Sequence, residues 1–69
     1  MTPLSGGRAM DIYHFNLFDA GGQVVRERDT SCPDDWQAEA MARILLLSQG
    51  TRSVEAWRQG RLLCTIARQ

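Results

Sequence analysis

The fold is decided by residues 12–22, Ile12-Tyr13-His14-Phe15-Asn16-Leu17-Phe18-Asp19-Ala20-Gly21-Gly22. The first seven alternate as in a β-strand, in which successive side chains point to opposite faces of the sheet. One face then carries Tyr13, Phe15 and Leu17, and the other carries Ile12, His14, Asn16 and Phe18. The Asp-Ala-Gly-Gly sequence that follows is typical of a tight turn. We therefore predict a β-hairpin whose second strand covers residues 23–29, with Val24 opposite Leu17 and Val25 on the outer side.

The next segment is typical of an amphipathic helix. Ser31 offers a hydroxyl that can cap a helix, Pro33 suits a first turn, and the carboxylates of Asp34 and Asp35 favour the positive end of the helix dipole. Gly50 is a stop signal, so the predicted helix covers residues 34–49. At helical spacing, one stripe is expected to face the sheet: Trp36, Ala40, Ile44 and Leu47.

A second hairpin is predicted around Gln59 and Gly60. A two-residue loop would place Trp57 on the same face as Leu62, whereas a three-residue loop starting at Arg58 places Ala56 opposite Leu62. We favour the three-residue loop, because it also sets Val54 opposite Cys64 and gathers the apolar side chains on the helix side. Trp57, Leu63 and Thr65 are then expected to face outward.

Together these elements predict an α+β fold of the ββαββ type, an antiparallel sheet formed by two β-hairpins with the helix packed on one face. Residues 1–9 are expected to form a flexible N-terminal tail, with Met10 as an alternative start, and residues 10–69 to form a single domain. The predicted core consists of Tyr13, Phe15, Leu17, Trp36, Ala40, Ile44, Leu47, Val54, Leu62, Cys64 and Ile66.

Residues spread along the chain resemble a family of small uncharacterised proteobacterial proteins. The resemblance covers roughly residues 11–67. The chain departs from the family pattern at Asp29, where the family tends to have glycine. The resemblance implies a ββαβ-type core and carries no known activity, so no functional residue is transferred. The shared pattern is Tyr13-x-Phe15-x-Leu17-x-Asp19 with its turn, Cys32-Pro33-Asp34, Glu39-Ala40, and Gly60-x-Leu62-Leu63-x-Thr65-Ile66.

Composition narrows the classes of function. The chain has 69 residues with eight basic and eight acidic side chains, so it lacks the positive charge of a dedicated nucleic-acid binder. Its longest apolar run, residues 44–47, is far too short to span a bilayer, and no signal-peptide core precedes it, so we expect a cytoplasmic protein without a membrane role. A domain this small is marginally stable alone, and self-association is an obvious supplement.

No residue pattern names a reaction or a cofactor. His14 is the only histidine and has no identifiable catalytic partner, and Cys32 and Cys64 lack the spacing of zinc ligands. A disulfide between the two cysteines is conceivable, but a reducing cytoplasm favours free thiols, with Cys64 as a small core side chain and Cys32 as a loop residue. The acidic residues lack the spacing of a calcium loop, so we expect no enzyme, no metal and no small-molecule substrate.

The predicted outer face of the sheet is the candidate contact surface. Several large apolar side chains on a face that one helix cannot cover usually mark an interface. The chain is therefore interpreted as a protein-interaction module that forms a homodimer or binds a larger protein; a small stoichiometric inhibitor from a mobile element is an alternative. A weak nucleic-acid binder is a third, with Arg26, Arg28, Arg58 and Arg61 near Trp57 and His14. The predicted interface residues are Ile12, Phe18, Val25, Trp57 and Leu63.

Overall fold

A computed structural model describes residues 10–68, which form a four-stranded antiparallel sheet with one helix packed on it. The elements follow the order β1 (Asp11–Phe18), β2 (Val24–Cys32), α1 (Asp35–Leu45), β3 (Ser53–Arg58) and β4 (Arg61–Ala67). In space the strand order is β2-β1-β3-β4. The predicted ββαββ fold is confirmed. The tail predicted for residues 1–9 lies outside the described residues.

Strand β1 lies at the centre of the fold because it pairs with both β2 and β3. Its odd-numbered side chains, Tyr13, Phe15 and Leu17, are completely buried against α1, as the alternation predicts. Phe15 pairs with Ala56 of β3, and Leu17 pairs with Val54. We call this helix-covered side of the sheet the inner face and the opposite side the outer face.

The first hairpin turns through residues 19–23. The Asp19 carboxylate accepts hydrogen bonds from the backbone N–H groups of Gly21, at 2.9 Å, and Gln23, at 3.0 Å. Gly22 has a φ of 82°, which glycine adopts without a steric penalty. A bulge follows, so Val24 pairs with Phe18 on the outer face. The prediction that Val24 lies opposite Leu17 is therefore wrong, because Leu17 pairs with Arg26.

The second hairpin has a two-residue loop, not the three-residue loop that we predicted. Gln59 and Gly60 both have positive φ, 52° and 76°, and Arg58 pairs with Arg61. Trp57 therefore pairs with Leu62 on the outer face, and Leu62 is exposed instead of lying in the core. A β-bulge follows this pair in β4. Beyond it, the residues on the inner face are Cys64, which pairs with Ala56, and Ile66, which pairs with Val54.

Helix α1 is capped by Asp34, whose carboxylate accepts a hydrogen bond from the Gln37 N–H at 2.9 Å. Ser31 is not the cap, because β2 continues through it to Cys32. The helix ends at Leu45, earlier than predicted, and the chain reaches Gly50 through turns. No helix within residues 10–68 is long and apolar enough to cross a membrane.

The side of α1 that faces the sheet differs from the predicted one. Its buried residues are Ala38, Ala42 and Leu45. Because aromatic and leucine side chains of β1 already fill the space above the sheet, small alanines let the helix pack closely. The predicted core stripe faces solvent instead: Trp36 is 71% exposed, Ile44 61% and Leu47 76%, and Ala40 is half-buried.

A polar cluster joins the start of α1 to the sheet. The buried Tyr13 hydroxyl donates to Asp35 Oδ1 at 2.8 Å, and Arg58 Nη1 donates to the same oxygen at 3.0 Å. The Arg58 guanidinium also lies 6.0 Å from the centre of the Tyr13 ring, within the range of a cation–π contact. Burial, and then the hydrogen bond to Asp35, raise the pKa of Tyr13. This cluster fixes the orientation of the helix on the sheet.

Candidate interaction surface

The outer face is formed by alternate residues of all four strands, which the pairing arranges in rows across the sheet. One row runs Asp29, His14, Trp57 and Leu62, and the next runs Glu27, Asn16, Glu55 and Thr65. Helix α1, the one helix within residues 10–68, packs on the opposite, inner face. The outer face is therefore the largest uncovered surface that the sheet presents.

His14 is the centre of a hydrogen-bond network on the outer face. Its Nδ1 lies 2.5 Å from Asp29 Oδ1, and its Nε2 lies 2.9 Å from Asn16 Oδ1 and 3.2 Å from Glu27 Oε1. The sequence identified no partner for His14, but the pairing of β1 with β2 sets Asp29 directly opposite it. Sequence separation hides this contact, which only the register of the hairpin creates.

The geometry favours the doubly protonated form of His14. Both ring nitrogens face oxygen atoms that accept hydrogen bonds, so an imidazolium can donate from both. The hydrogen bond to Asp29 is the main reason that the pKa of His14 is raised, and Asn16 and Glu27 add to it against a smaller opposing effect of burial. The side chain is 40% exposed, so the network remains in contact with water.

The network continues to the next strand through Asn16. Asn16 Nδ2 donates to Glu55 Oε1 at 3.5 Å, and Trp57 Nε1 donates to the same oxygen at 3.0 Å. The indole is thereby held against the sheet with its polar edge satisfied and its ring half-buried. Trp57 is thus an aromatic side chain in a fixed orientation, which lowers the entropy lost when a partner binds.

Apolar side chains surround this polar centre. Of the predicted interface residues, Ile12 is exposed, and Phe18 and Trp57 are half-buried on the outer face. Val25 is exposed at the β2 bulge. The prediction is wrong for Leu63. The register shift in β4 turns this side chain toward the helix, and it packs against the core. Two residues that the sequence assigned to the inner face, Val24 and Leu62, belong to the outer surface instead.

The arginines proposed for nucleic-acid contact lie on the other side of the sheet. Arg26 and Arg28 pair with Leu17 and Phe15, whose side chains point to the inner face. Arg58 is engaged by Asp35 at 3.0 Å and by Asp11 at 3.7 Å, and Arg61 pairs with it. The sheet therefore separates these guanidinium groups from Trp57 and His14. In contrast, the paired positions of the outer face carry three carboxylates, those of Glu27, Asp29 and Glu55.

The two cysteines are free thiols. Cys32 is buried at the end of β2, where we expected a loop, and Cys64 is half-buried against the core. Burial raises the pKa of both thiols, which disfavours the reactive thiolate. Within residues 10–68 no group of three or more His, Cys, Asp and Glu side chains has an arrangement that could hold a metal ion.

The outer face combines a hydrogen-bond network with exposed apolar side chains. The side-chain partners of His14 are two carboxylates and an amide, and they engage both of its ring nitrogens. The remaining surface combines apolar area with acceptor oxygens. Comparisons with protein-family models, curated proteins and solved structures find no match to this chain. The resemblance to a proteobacterial family stays a prediction.

Proposed function

We propose that this chain is a non-catalytic protein-interaction module whose outer face binds a partner protein. The observation that carries the proposal is the uncovered sheet side, on which Trp57 is hydrogen-bonded to Glu55 beside its strand partner Leu62, and exposed Ile12 and Val24 lie farther along the strands. An aromatic and an aliphatic side chain side by side, rimmed by polar groups, are typical of interfaces. Binding would remove this apolar area from water and place Trp57 near the middle of the contact.

The charge of the outer face indicates which kind of partner surface can bind to it. Its carboxylates, Glu27, Asp29 and Glu55, are opposed by one histidine, whereas Arg26 and Arg28 lie on the inner face. A surface that combines arginine or lysine with apolar side chains therefore complements it, and an acidic surface is repelled. A stoichiometric inhibitor would use the same surface and would differ in what its partner does.

The test compares a variant of the outer face with a variant of the helix in partner capture from the protein's own host. Trp57→Ala should weaken capture on the order of thirtyfold, because a central tryptophan often contributes 2 kcal/mol or more to binding. Gln37→Ala is the control, since Gln37 is exposed on α1 and does not lie on the sheet. Circular dichroism should show both variants folded. Equal capture by both variants would contradict the proposal.

A salt titration distinguishes protein from nucleic acid as the partner. Nucleic-acid binding through phosphate contacts falls steeply as salt rises, whereas a contact dominated by apolar area changes little. We expect the salt dependence to be smaller than phosphate contacts produce, because only the few carboxylates of the outer face contribute to it, and we expect no change after nuclease treatment. Loss of capture on nuclease treatment, together with loss in the double variant Arg26→Gln and Arg28→Gln, would favour the nucleic-acid alternative.

A further inference from the structure

A second apolar surface lies on the side of α1 that faces away from the sheet. We call it the helix stripe and define it as Trp36, Ala40, Ile44 and Leu47. The first three residues follow one another at intervals of four, and Leu47 extends the stripe in the turn after the helix, where its N–H donates to the Ile44 carbonyl. Since the opposite side of α1 is buried by Ala38, Ala42 and Leu45, the helix is apolar on two sides.

The helix stripe is not needed for the internal packing of the fold. Its three large side chains are among the most exposed apolar residues of the chain, with 61% to 76% of their area open to water. Four residues line an open depression of about 240 Å³ beside the helix: Trp36, Glu39, Ala40 and Arg43. A depression beside a protruding aromatic ring can accept a side chain of a partner.

We propose that the helix stripe binds the helix stripe of a second copy of this chain, as an antiparallel helix pair centred on Ala40. The part of the stripe within the helix is self-complementary about this residue, because Trp36 lies four positions before it and Ile44 four positions after it. A two-fold axis at Ala40 therefore sets each Trp36 against Ile44 of the other copy. The small side chain of Ala40 lets the two helices approach closely at the axis.

Charge favours a second copy over a strongly charged partner at the helix stripe. The charged residues that line its depression are Glu39 and Arg43, which form an ion pair at 2.6 Å and sum to zero charge. Two such stripes meet without net repulsion. The outer face cannot accept a second copy so readily, because its three carboxylates would meet the same three carboxylates. The two surfaces thus suit different partners.

The dimer leaves the proposed binding surface free. Because α1 packs on the inner face, pairing through the helix stripe directs both outer faces away from the dimer axis. Each dimer would then present two identical acidic and apolar surfaces to a basic partner. Two linked contacts bind a repeated target more tightly than one contact does. The inference concerns self-association and stands independently of the proposed partner contact.

The test uses the property that a residue on a two-fold axis meets its own copy. Ala40→Glu and Ala40→Arg each place like charges together across the axis, so each variant alone should be monomeric in analytical ultracentrifugation. An equimolar mixture of the two variants should restore a dimer, because Glu then faces Arg. Both substitutions keep high helix propensity, and circular dichroism checks the fold. Trp57→Ala, the matched control, should dimerise as the wild-type chain does.

Three results would overturn the inference. The first is a wild-type chain that remains monomeric at the highest soluble concentration. The second is a dimer that survives in both single variants, and the third is a mixture of folded variants that stays monomeric while the wild type dimerises. A dimer lost in Trp57→Ala but kept in Ala40→Glu would place self-association on the outer face. Failure of partner capture with an intact dimer would instead contradict the proposed function alone.

Discussion

His14 and Phe15 are neighbours in β1, yet they serve opposite faces of the sheet. Phe15 is completely buried under α1, whereas the His14 side chain is 40% exposed and joined to carboxylates. The inner face is apolar, closely packed and covered, and the outer face combines an acidic hydrogen-bond network with exposed apolar residues. The difference teaches that one strand contributes to the buried core on one side and to the proposed binding surface on the other, so substitutions can test the two separately.

The largest effect is expected from an inner-face cavity. Phe15→Ala should lower the free energy of unfolding by about 3 to 5 kcal/mol, which is enough to unfold most of a domain of this size. Phe18→Ala is the matched control on the same strand, because Phe18 is only half-buried on the outer face. It should cost about 1 kcal/mol. Urea denaturation measures both, and equal losses would remove the distinction between the faces.

A smaller effect is expected where the inner face meets the helix start. Tyr13→Phe removes the hydroxyl that donates to Asp35 at 2.8 Å but keeps the buried ring. The loss should be about 1 kcal/mol, since Asp35 is half exposed and water can replace the donor. Urea denaturation of wild type and variant would show it. An unchanged midpoint would mean that the Arg58 contact alone holds Asp35 in place.

The fold could be predicted because its signals are local. The alternation of residues 12–18 assigns the faces of β1 correctly, and the glycine-bearing turns locate both hairpins. The side of α1 that packs on the sheet could not be predicted in this way, since the helix has two apolar stripes with helical spacing. Hydrophobicity favours the stripe with Trp36 and Ile44, but the filled space above β1 accepts the alanines. Packing against the sheet decides which of the two stripes is buried, and the hydrophobic pattern of the sequence contains no information about that packing.

The site was less predictable than the fold because it depends on register. Pairing Val24 with Leu17 would set Glu27 opposite His14, whereas the observed hairpin places Asp29 there. The bulges near Val25 and Leu63 have no marker in the sequence, and each changes which side chains reach the outer face. The two-residue loop at Gln59 and Gly60 was the alternative that correctly grouped Trp57 with Leu62.

The smallest expected effect tests the outer-face network through pH. The hydrogen bond to Asp29 raises the pKa of His14 above its ordinary value of 6.5. The stability that the network contributes is therefore fully present below about pH 6.5 and is lost as the pH rises through the folded-state pKa. An NMR titration of the His14 ring should show this raised pKa, and Asp29→Asn should lower it.

The stability difference between the wild-type chain and Asp29→Asn should follow the same titration. We expect the wild type to be the more stable of the two in mildly acidic solution and the difference to shrink as the pH rises, because neutral His14 no longer attracts the Asp29 carboxylate. His14→Asn should remove this pH-dependent difference between the chains with and without Asp29→Asn, without a large loss of stability. A His14 that titrates at or below its ordinary pKa would show that the network does not hold an imidazolium and that the outer face is more acidic than the contacts of His14 imply.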